Sequence, residues 1–417
     1  MFSRSGLLEL LPPSRGLLDA LKGVRMTTYR QAADAGFKTL MTLWDHGRVF
    51  DASNGGCFWM GGNTFHVAVE YLSLTNQKDT YNLAVDALDL FDRKVTDQDP
   101  LHWIKDDIWV DDYGWWGIAL VRAYNAASVL GYDDAFKSKL RAYAEKCWIG
   151  LHNCWDQSRI PNSDPAVDIS GGIWNCNHSS SYLAGRNCVT NEVYWLFSLY
   201  MKNAFGDKYL DPNTNSAYWF SQGLSQNVLL NSEGLVRERF KGTTDNPYNR
   251  DYAWLGDQGL FMYGCFYNKQ PEAGNLNQEL AVAMGERVKA VRTSKPLVLS
   301  EELFGDTDFQ LDYSGGKGVF IRNLAIINDH HHHSVPGPGP YDEWISKNGA
   351  AVWNHQLDGG LFPYWWNAEK SEPSSWGYPV AVANTVLHAS GQSALNACIT
   401  WMGDETINVP LTAQATK

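Results

Sequence analysis

Apolar residues recur along this chain at intervals of three and four, the spacing that lines up one face of an α-helix. In the run from Tyr81 to Phe91, for example, Leu83, Ala84, Ala87, Leu88 and Phe91 make one stripe and Asp86 and Asp89 lie off it. Twelve segments carry this pattern, at 28–44, 63–75, 79–95, 111–129, 133–155, 187–205, 215–229, 252–268, 275–293, 317–329, 342–356 and 378–399. Gaps as short as 76–78 and 130–132 favour antiparallel helix hairpins. Alternation at period two is scarce: Leu235-Val236-Arg237-Glu238 and Leu297-Val298-Leu299 predict small ribbons only. Twelve helices in six hairpins predict an all-α fold, an (α/α)6 toroid or barrel with inner and outer rings and its loops gathered at one end. The irregular stretches 156–186, 230–251 and 294–316 mix aromatic and charged residues, so they read as inserted loops rather than linkers. Residues 1–25 hold short Leu clusters broken by Glu9, Pro12, Pro13 and Arg15, a poor match to a secretion signal. They are predicted to be a leader or disordered tail ahead of a single domain over 26–417.

Composition narrows the function classes. Hydrophobic residues make up 44% of the 417 and charged residues 19%, enough for a large core, and no run of 18 apolar residues exists to span a membrane. The net charge of −12 argues against a nucleic-acid backbone or an anionic membrane surface as partner. Aromatic residues change the picture more. Several of the 18 Trp and 20 Tyr sit in polar, Gly-rich surroundings, as in Phe58-Trp59, Trp115-Trp116 and Trp365-Trp366. Trp and Tyr offer a flat apolar face with a hydrogen-bonding rim, which suits sugar rings with their C–H faces and hydroxyl edges. The alternative use of such residues is as wedges between helices.

The seven Cys show no CxxC or Cys/His ligand spacing, so no zinc site, and no other metal or cofactor, is expected. Cys176 and Cys188 would suit a loop-closing disulfide in a secreted chain; otherwise most of the Cys read as small buried hydrophobes. Asn177-His178-Ser179 is the one glycosylation sequon found, relevant only if the chain is exported. His330 to His333 run into Pro336-Gly337-Pro338-Gly339-Pro340 and read as a solvated turn. No phosphate-binding Gly loop follows a strand, and no Ser-nucleophile motif is present.

The central motif is Trp109-Val110-Asp111-Asp112-Tyr113-Gly114-Trp115-Trp116. Glycosidic cleavage generally needs two carboxyl groups, one to protonate the leaving oxygen and one to attack or to activate water. Neighbouring residues diverge by about 100° in a helix, so two adjacent Asp can serve one cleft only where the helix begins. The periodic run here begins at Tyr113. If both reach a cleft, their repulsion should raise one pKa and separate acid from nucleophile. The competing explanation is ordinary: acids in a first turn cap the helix and complement its dipole, and Asp106-Asp107 has the same look without a role.

These residues resemble glycoside hydrolase family 76, the endo-α-1,6-mannanases. Its members carry a double Asp followed by two aromatics and a small-residue helix, as in Asp111 to Leu120. They also carry a Gly-Gly-Ile-Trp segment, here Gly171-Gly172-Ile173-Trp174, and a basic-Asn-x-x-x-Asn-Glu helix start, here Arg186-Asn187 to Asn191-Glu192. A Tyr-Asn-Gln-Gly helix start appears as Gly256-Asp257-Gln258-Gly259, and Lys317-Gly318-Val319-Phe320-Ile321-Arg322 resembles the family's Lys-Gly-Ile-Phe-x-Arg. The matches run in order from about 59 to 385. The resemblance implies an (α/α)6 fold and a retaining mechanism, with Asp111 as nucleophile and Asp112 as acid/base. Three departures concern the substrate: Trp174-Asn175 stands where Trp-Trp is usual, Asp257 where Asn is, and Tyr113-Gly114 where Asn or Gln with Ala is commoner.

The expected substrate-binding set is Trp59, Asn63, Tyr113, Trp115, Trp116, Trp174, Asn187, Asn191, Asp257 and Gln258, with Trp353, Asn354, Trp365 and Trp366 as further rim candidates. Asn187 and Asn191 lie four apart on one helix face, placed either for sugar hydroxyls or for capping. The expected activity is hydrolysis of α-1,6-mannosidic or related linkages by a monomer acting on an α-mannan-like oligosaccharide or polysaccharide. The alternatives are a mannan transglycosylase, an epimerase or unsaturated-uronide hydrolase of the same architecture, and a non-catalytic carbohydrate-binding protein. Substrate class suggests export, whereas the leader does not.

Overall fold

The computed structural model describes residues 27–407 apart from 52–57, 96–108, 162–163, 165, 177–184, 211–213, 242–251, 295, 303–309, 336 and 369. Asp106-Asp107 and the sequon thus lie outside the described residues. Among them are helices α1 Tyr29–Trp44, α2 Phe58–Leu74, α3 Leu83–Lys94, α4 Val110–Asn125, α5 Asp134–His152, α6 Cys188–Phe205, α7 Ser216–Ser225, α8 Leu255–Tyr267, α9 Gln278–Val291, α10 Gly316–Ser334, α11 Asp342–Asn354 and α12 Val380–Met402. One-turn helices Ala127–Leu130 and Gln310–Ser314, some 3-10 turns and an antiparallel ribbon of β1 Thr293–Ser294 and β2 Val298–Leu299 complete them. Each of the twelve periodic segments coincides with one helix.

Even-numbered helices form the inner ring. In α2 every residue from Phe58 to Leu72 is buried, and in α8 every residue from Leu255 to Cys265. A helix with no wet face must be surrounded. Odd-numbered α5, by contrast, buries one stripe: Leu140, Ala144, Cys147, Trp148, Gly150 and Leu151. The inner helices pack in the order α2, α4, α6, α8, α10, α12, and α12 returns to α2. This is an (α/α)6 toroid. The first and last described residues of the ring meet: Thr28 bridges Thr406, and the Ile407 amide donates to the Thr27 carbonyl at 2.8 Å.

Small residues allow the ring to close. A Cβ at Gly114 would overlap Val193, and one at Gly117 would overlap Phe197, both on α6. Any larger residue there would push α4 away from α6 and shift the start of α4, where the double Asp sits.

Two expectations need correction. His330 to His333 belong to the last turn of α10, because the helix runs on to Ser334 instead of ending near 329. His332 Nε2 donates to the Asp342 carboxylate at 2.8 Å and the ring stacks on Trp401, so that part of the tract is packed. Cys188 carries a free, buried thiol, so no disulfide joins it to Cys176.

Candidate active site

Outer helices α1, α5, α7 and α9 cap themselves, with Thr28, Asp133, Asn215 and Asn277 accepting from their own first-turn amides. Inner helices α4, α6, α8 and α12 have no such side-chain cap. Their starts lie at the wall of one cleft, and their N–H groups and dipoles favour negative charge there. Distant groups take over the capping: Glu301 accepts from the Leu255 amide at 2.5 Å, and the Glu238 carbonyl accepts from the Cys188 amide at 2.9 Å.

The cleft encloses about 870 Å³, including its open mouth. Both Asp111 and Asp112 line it, although they are sequence neighbours. They can do so because α4 begins at Val110, with Trp109 still extended at φ −65°, ψ 121°. Asp112 is buried, and the Trp59 amide at the start of α2 donates toward its carboxyl. Asp111 is half-buried, with Oδ1 enclosed and free of any partner. Burial raises the Asp111 pKa to about 7, helped by Glu238 and Asp312 and opposed by Arg239. Burial and the Asp111 charge hold Asp112 well above the carboxylate range. Such a pair has the parts for acid–base work: one carboxyl that keeps its proton beside one that releases it first.

Four tryptophans, Trp59, Trp109, Trp115 and Trp254, line the same cleft. Trp59 and Trp115 have ring centroids 5.5 Å apart, and Trp254 stands edge-on to both at 6.4 and 6.3 Å. Asp312 fixes one of them, accepting from Trp59 Nε1 and from the Tyr378 hydroxyl at 3.0 Å each. Trp254 Nε1 donates to the Tyr313 carbonyl at 2.7 Å. The box presents apolar faces beside two acids.

Of the residues expected to touch substrate, Trp59, Trp115 and Asn187 line the cleft with the Asp pair. The others do not. Trp116 is fully buried, stacked on Phe58 with Nε1 donating to the Phe58 carbonyl at 2.7 Å: it is the wedge, and Trp115 the cleft wall. Tyr113 packs edge-on to Phe58 and Phe91. Asn63 accepts from Arg322 at 2.9 Å inside the ring. Trp174 donates to Asp156 at 2.9 Å and lies under Arg186. Asn191 exchanges hydrogen bonds with the backbone of Ile173, fixing the turn after Gly171 and Gly172. Those glycines have φ of +88° and +107°, and a Cβ on Gly172 would lie 2.7 Å from the Trp219 indole nitrogen. Asp257 pairs with Glu192 in the core, both held well above the carboxylate range by burial. Gln258 clasps the Val236 backbone, accepting at 2.8 Å and donating at 2.9 Å.

The late aromatics are also elsewhere. Trp365 and Trp366 join Tyr364 around the buried Lys317 ammonium, which lies 3.3 Å from the Tyr364 centroid. Trp353 and Asn354 end outer helix α11. Glu238, Arg239, Asp312, Tyr313 and Tyr378 complete the cleft and escaped the sequence reading. For Glu238 and Arg239 the available signal was three charged residues, Arg237 to Arg239, between Val236 and Phe240.

No protein-family profile matches the sequence, and no curated protein does. Solved structures do. The α-1,6-mannanase of Salegentibacter sp. HEL1_6 superposes with a TM-score of 0.61 at 17% identity, over 89% of this chain and 99% of that one. The fold is that of glycoside hydrolase family 76. Variants of that mannanase with two consecutive Asp replaced are inactive and were solved with α-1,6-mannotriose and α-1,6-mannotetrose. Dfg5 from Chaetomium thermophilum, solved with glucosamine, has a TM-score of 0.61 at 15% identity, covering 91% of this chain and 95% of its own. A family 76 hydrolase from a bovine Bacteroides thetaiotaomicron strain has a TM-score of 0.55 at 13% identity, covering 82% and 68%.

Proposed function

We propose that this protein is a family 76 glycoside hydrolase that cleaves α-1,6-mannosidic or closely related α-linkages with retention of configuration. The observation that carries the reading is that Asp111 and Asp112 line one cleft at the start of an inner helix, beside a tryptophan box. Burial and mutual repulsion favour one ionised and one protonated carboxyl in the pair. In this reading Asp111 attacks the anomeric carbon, and the bond to the leaving oxygen breaks as Asp112 delivers its proton to that oxygen. Asp112, now a carboxylate, takes a proton from water, whose oxygen displaces Asp111. The inactive double-Asp variants of the Salegentibacter mannanase are in keeping with a catalytic role for two neighbouring acids.

The test is incubation of wild type, Asp111→Ala and Asp112→Ala with α-1,6-, α-1,2- and α-1,3-linked mannooligosaccharides, with new reducing ends and the first-formed anomer followed by NMR. Wild type is expected to release α-anomeric products from the α-1,6 substrate, and each variant to lose activity on the order of 10⁴-fold. Products longer than the substrate would mark transfer to a sugar acceptor instead of water. Binding without cleavage, surviving loss of both carboxyls, would identify a non-catalytic carbohydrate-binding protein. A β-anomer as first product would refute retention, and an active Asp111→Ala would overturn the proposed chemistry.

A further inference from the structure

We propose that Glu238 and Arg239 form a clamp for two adjacent hydroxyls of a sugar ring, and so set which ring the cleft accepts. This rests on the hydrolase reading and adds the recognition half of the same site.

The backbone carrying the pair is held from several sides. Gln258 grips Val236, the Arg237 amide donates to Leu229, the Glu238 amide to Tyr252, and the Glu238 carbonyl accepts from Cys188 at the start of α6. Both side chains are buried, at 4% and 3% exposure, yet both line the cleft. The protein does not fill their hydrogen-bonding capacity. Glu238 Oε1 accepts from Asn187 at 3.1 Å, whereas Oε2 has no partner. Arg239 Nε and Nη1 are enclosed with none. Enclosed donors and a carboxylate oxygen left unpaired by the protein are costly, so the arrangement is completed by polar groups that enter the cleft.

The ligand must donate to a carboxylate and accept from a guanidinium at neighbouring positions. A sugar hydroxyl does both, and two adjacent hydroxyls match the acceptor and the planar fork side by side. An anionic group would satisfy Arg239 but would face Asp111, Asp112, Glu238 and Asp312 in the same cleft. A neutral diol is therefore the better fit.

The test is a cycle between protein and substrate. Kinetics of wild type, Glu238→Gln, Arg239→Lys and Arg239→Met are measured on α-1,6-mannotriose and on its monodeoxy analogues, with melting curves to check folding. Wild type is expected to lose about 10- to 100-fold in kcat/KM when the clamped hydroxyl is removed. Arg239→Met and Glu238→Gln should show a similar loss on the full substrate, chiefly in KM, with no further loss on the deoxy analogue. Arg239→Lys should recover part of it. Additive losses would overturn the clamp, as would variants whose only change is a shifted pH profile at unchanged KM. A wild type that cleaves no mannoside would sink the hydrolase reading itself, whereas cleavage with indifferent variants sinks the clamp alone. Should Arg239→Met fail to fold, Glu238→Gln and the deoxy series decide the matter.

Discussion

Replacing Gln258 tests whether the helix-start polar residues hold the cleft together from behind. Gln258 is fully buried; its amide accepts from Val236 N–H at 2.8 Å and donates to the carbonyls of Val236 and Trp254 at 2.9 Å each. Gln258→Ala leaves the Val236 N–H and C=O without that partner. Each stranded buried group costs about 1–3 kcal/mol, so the pair costs roughly 2–6 kcal/mol before any cavity term. At about 2 cal/mol/K of unfolding entropy per residue, a chain of this size loses on the order of 1 °C of Tm per kcal/mol, so a drop of roughly 2–7 °C is expected. Gln258→Met fills the space without the hydrogen bonds and should lose most of the same stability, which separates the polar contribution from packing. Because Val236 leads directly to Glu238 and Arg239, KM should rise in both variants while the double Asp, on another helix, retains its chemistry. Differential scanning fluorimetry and Michaelis kinetics measure both. A Gln258→Met protein with wild-type Tm and wild-type KM would refute the reasoning.

Other expectations follow from the same groups. With Asp111 required ionised and Asp112 protonated, kcat/KM should rise through about pH 7 and fall again at higher pH; an acid limb near 4 would contradict the burial argument. Glu238→Gln removes a charge that raises Asp111 and should move the acid limb to lower pH, whereas Arg239→Met should move it higher. Stability should also respond. A carboxyl whose folded pKa exceeds its unfolded one keeps its proton while the unfolded chain loses it, so stability falls as pH rises between the two values. With Asp111 and Glu301 raised to about 7 and Asp312 to about 6, these acids lower Tm between pH 4 and 7 and outnumber the buried His66 and His388, whose lowered pKa values act the other way there; Lys317, lowered to about 7, acts only above that window. A Tm that climbs across that range in pH-scanned melting would contradict the burial of these acids. Trp115→Ala should weaken saccharide binding by about 10-fold or more through loss of a stacking face, while Trp116→Ala should cost about 3–5 kcal/mol of stability instead, as urea titration would show.

Local periodicity made the helices legible, since every inner or outer helix had to bury a stripe and the stripe repeats in the sequence. Ends were less legible. α2 starts at Phe58, not near 63, because Phe58-Trp59-Met60-Gly61-Gly62 is apolar all round and shows no phase. The Asp pair was legible because adjacent acids can share a cleft only at a helix start. What the sequence could not separate was polar residues that face substrate from those that hold backbone. Asn191, Asp257 and Gln258 occupy helix starts as Asn187 does, but Asn191 and Gln258 hold buried backbone and Asp257 lies beside Glu192 in the core, none of them at the cleft. Glu238, Arg239 and Asp312 were illegible for the opposite reason: their loops lack periodicity, and contacts with α4, α6 and Trp59 across long stretches of chain bring them to the wall.

The most direct measurement is to trap the reaction halfway. Wild type or Asp112→Ala treated with a 2-deoxy-2-fluoro-α-mannosyl fluoride, digested and read by mass spectrometry, should carry one mannosyl ester on Asp111 within the peptide that starts α4. An ester on another residue, or none while Asp111→Ala still turns over, would contradict the claim that the two neighbouring acids divide the work of cleavage between them.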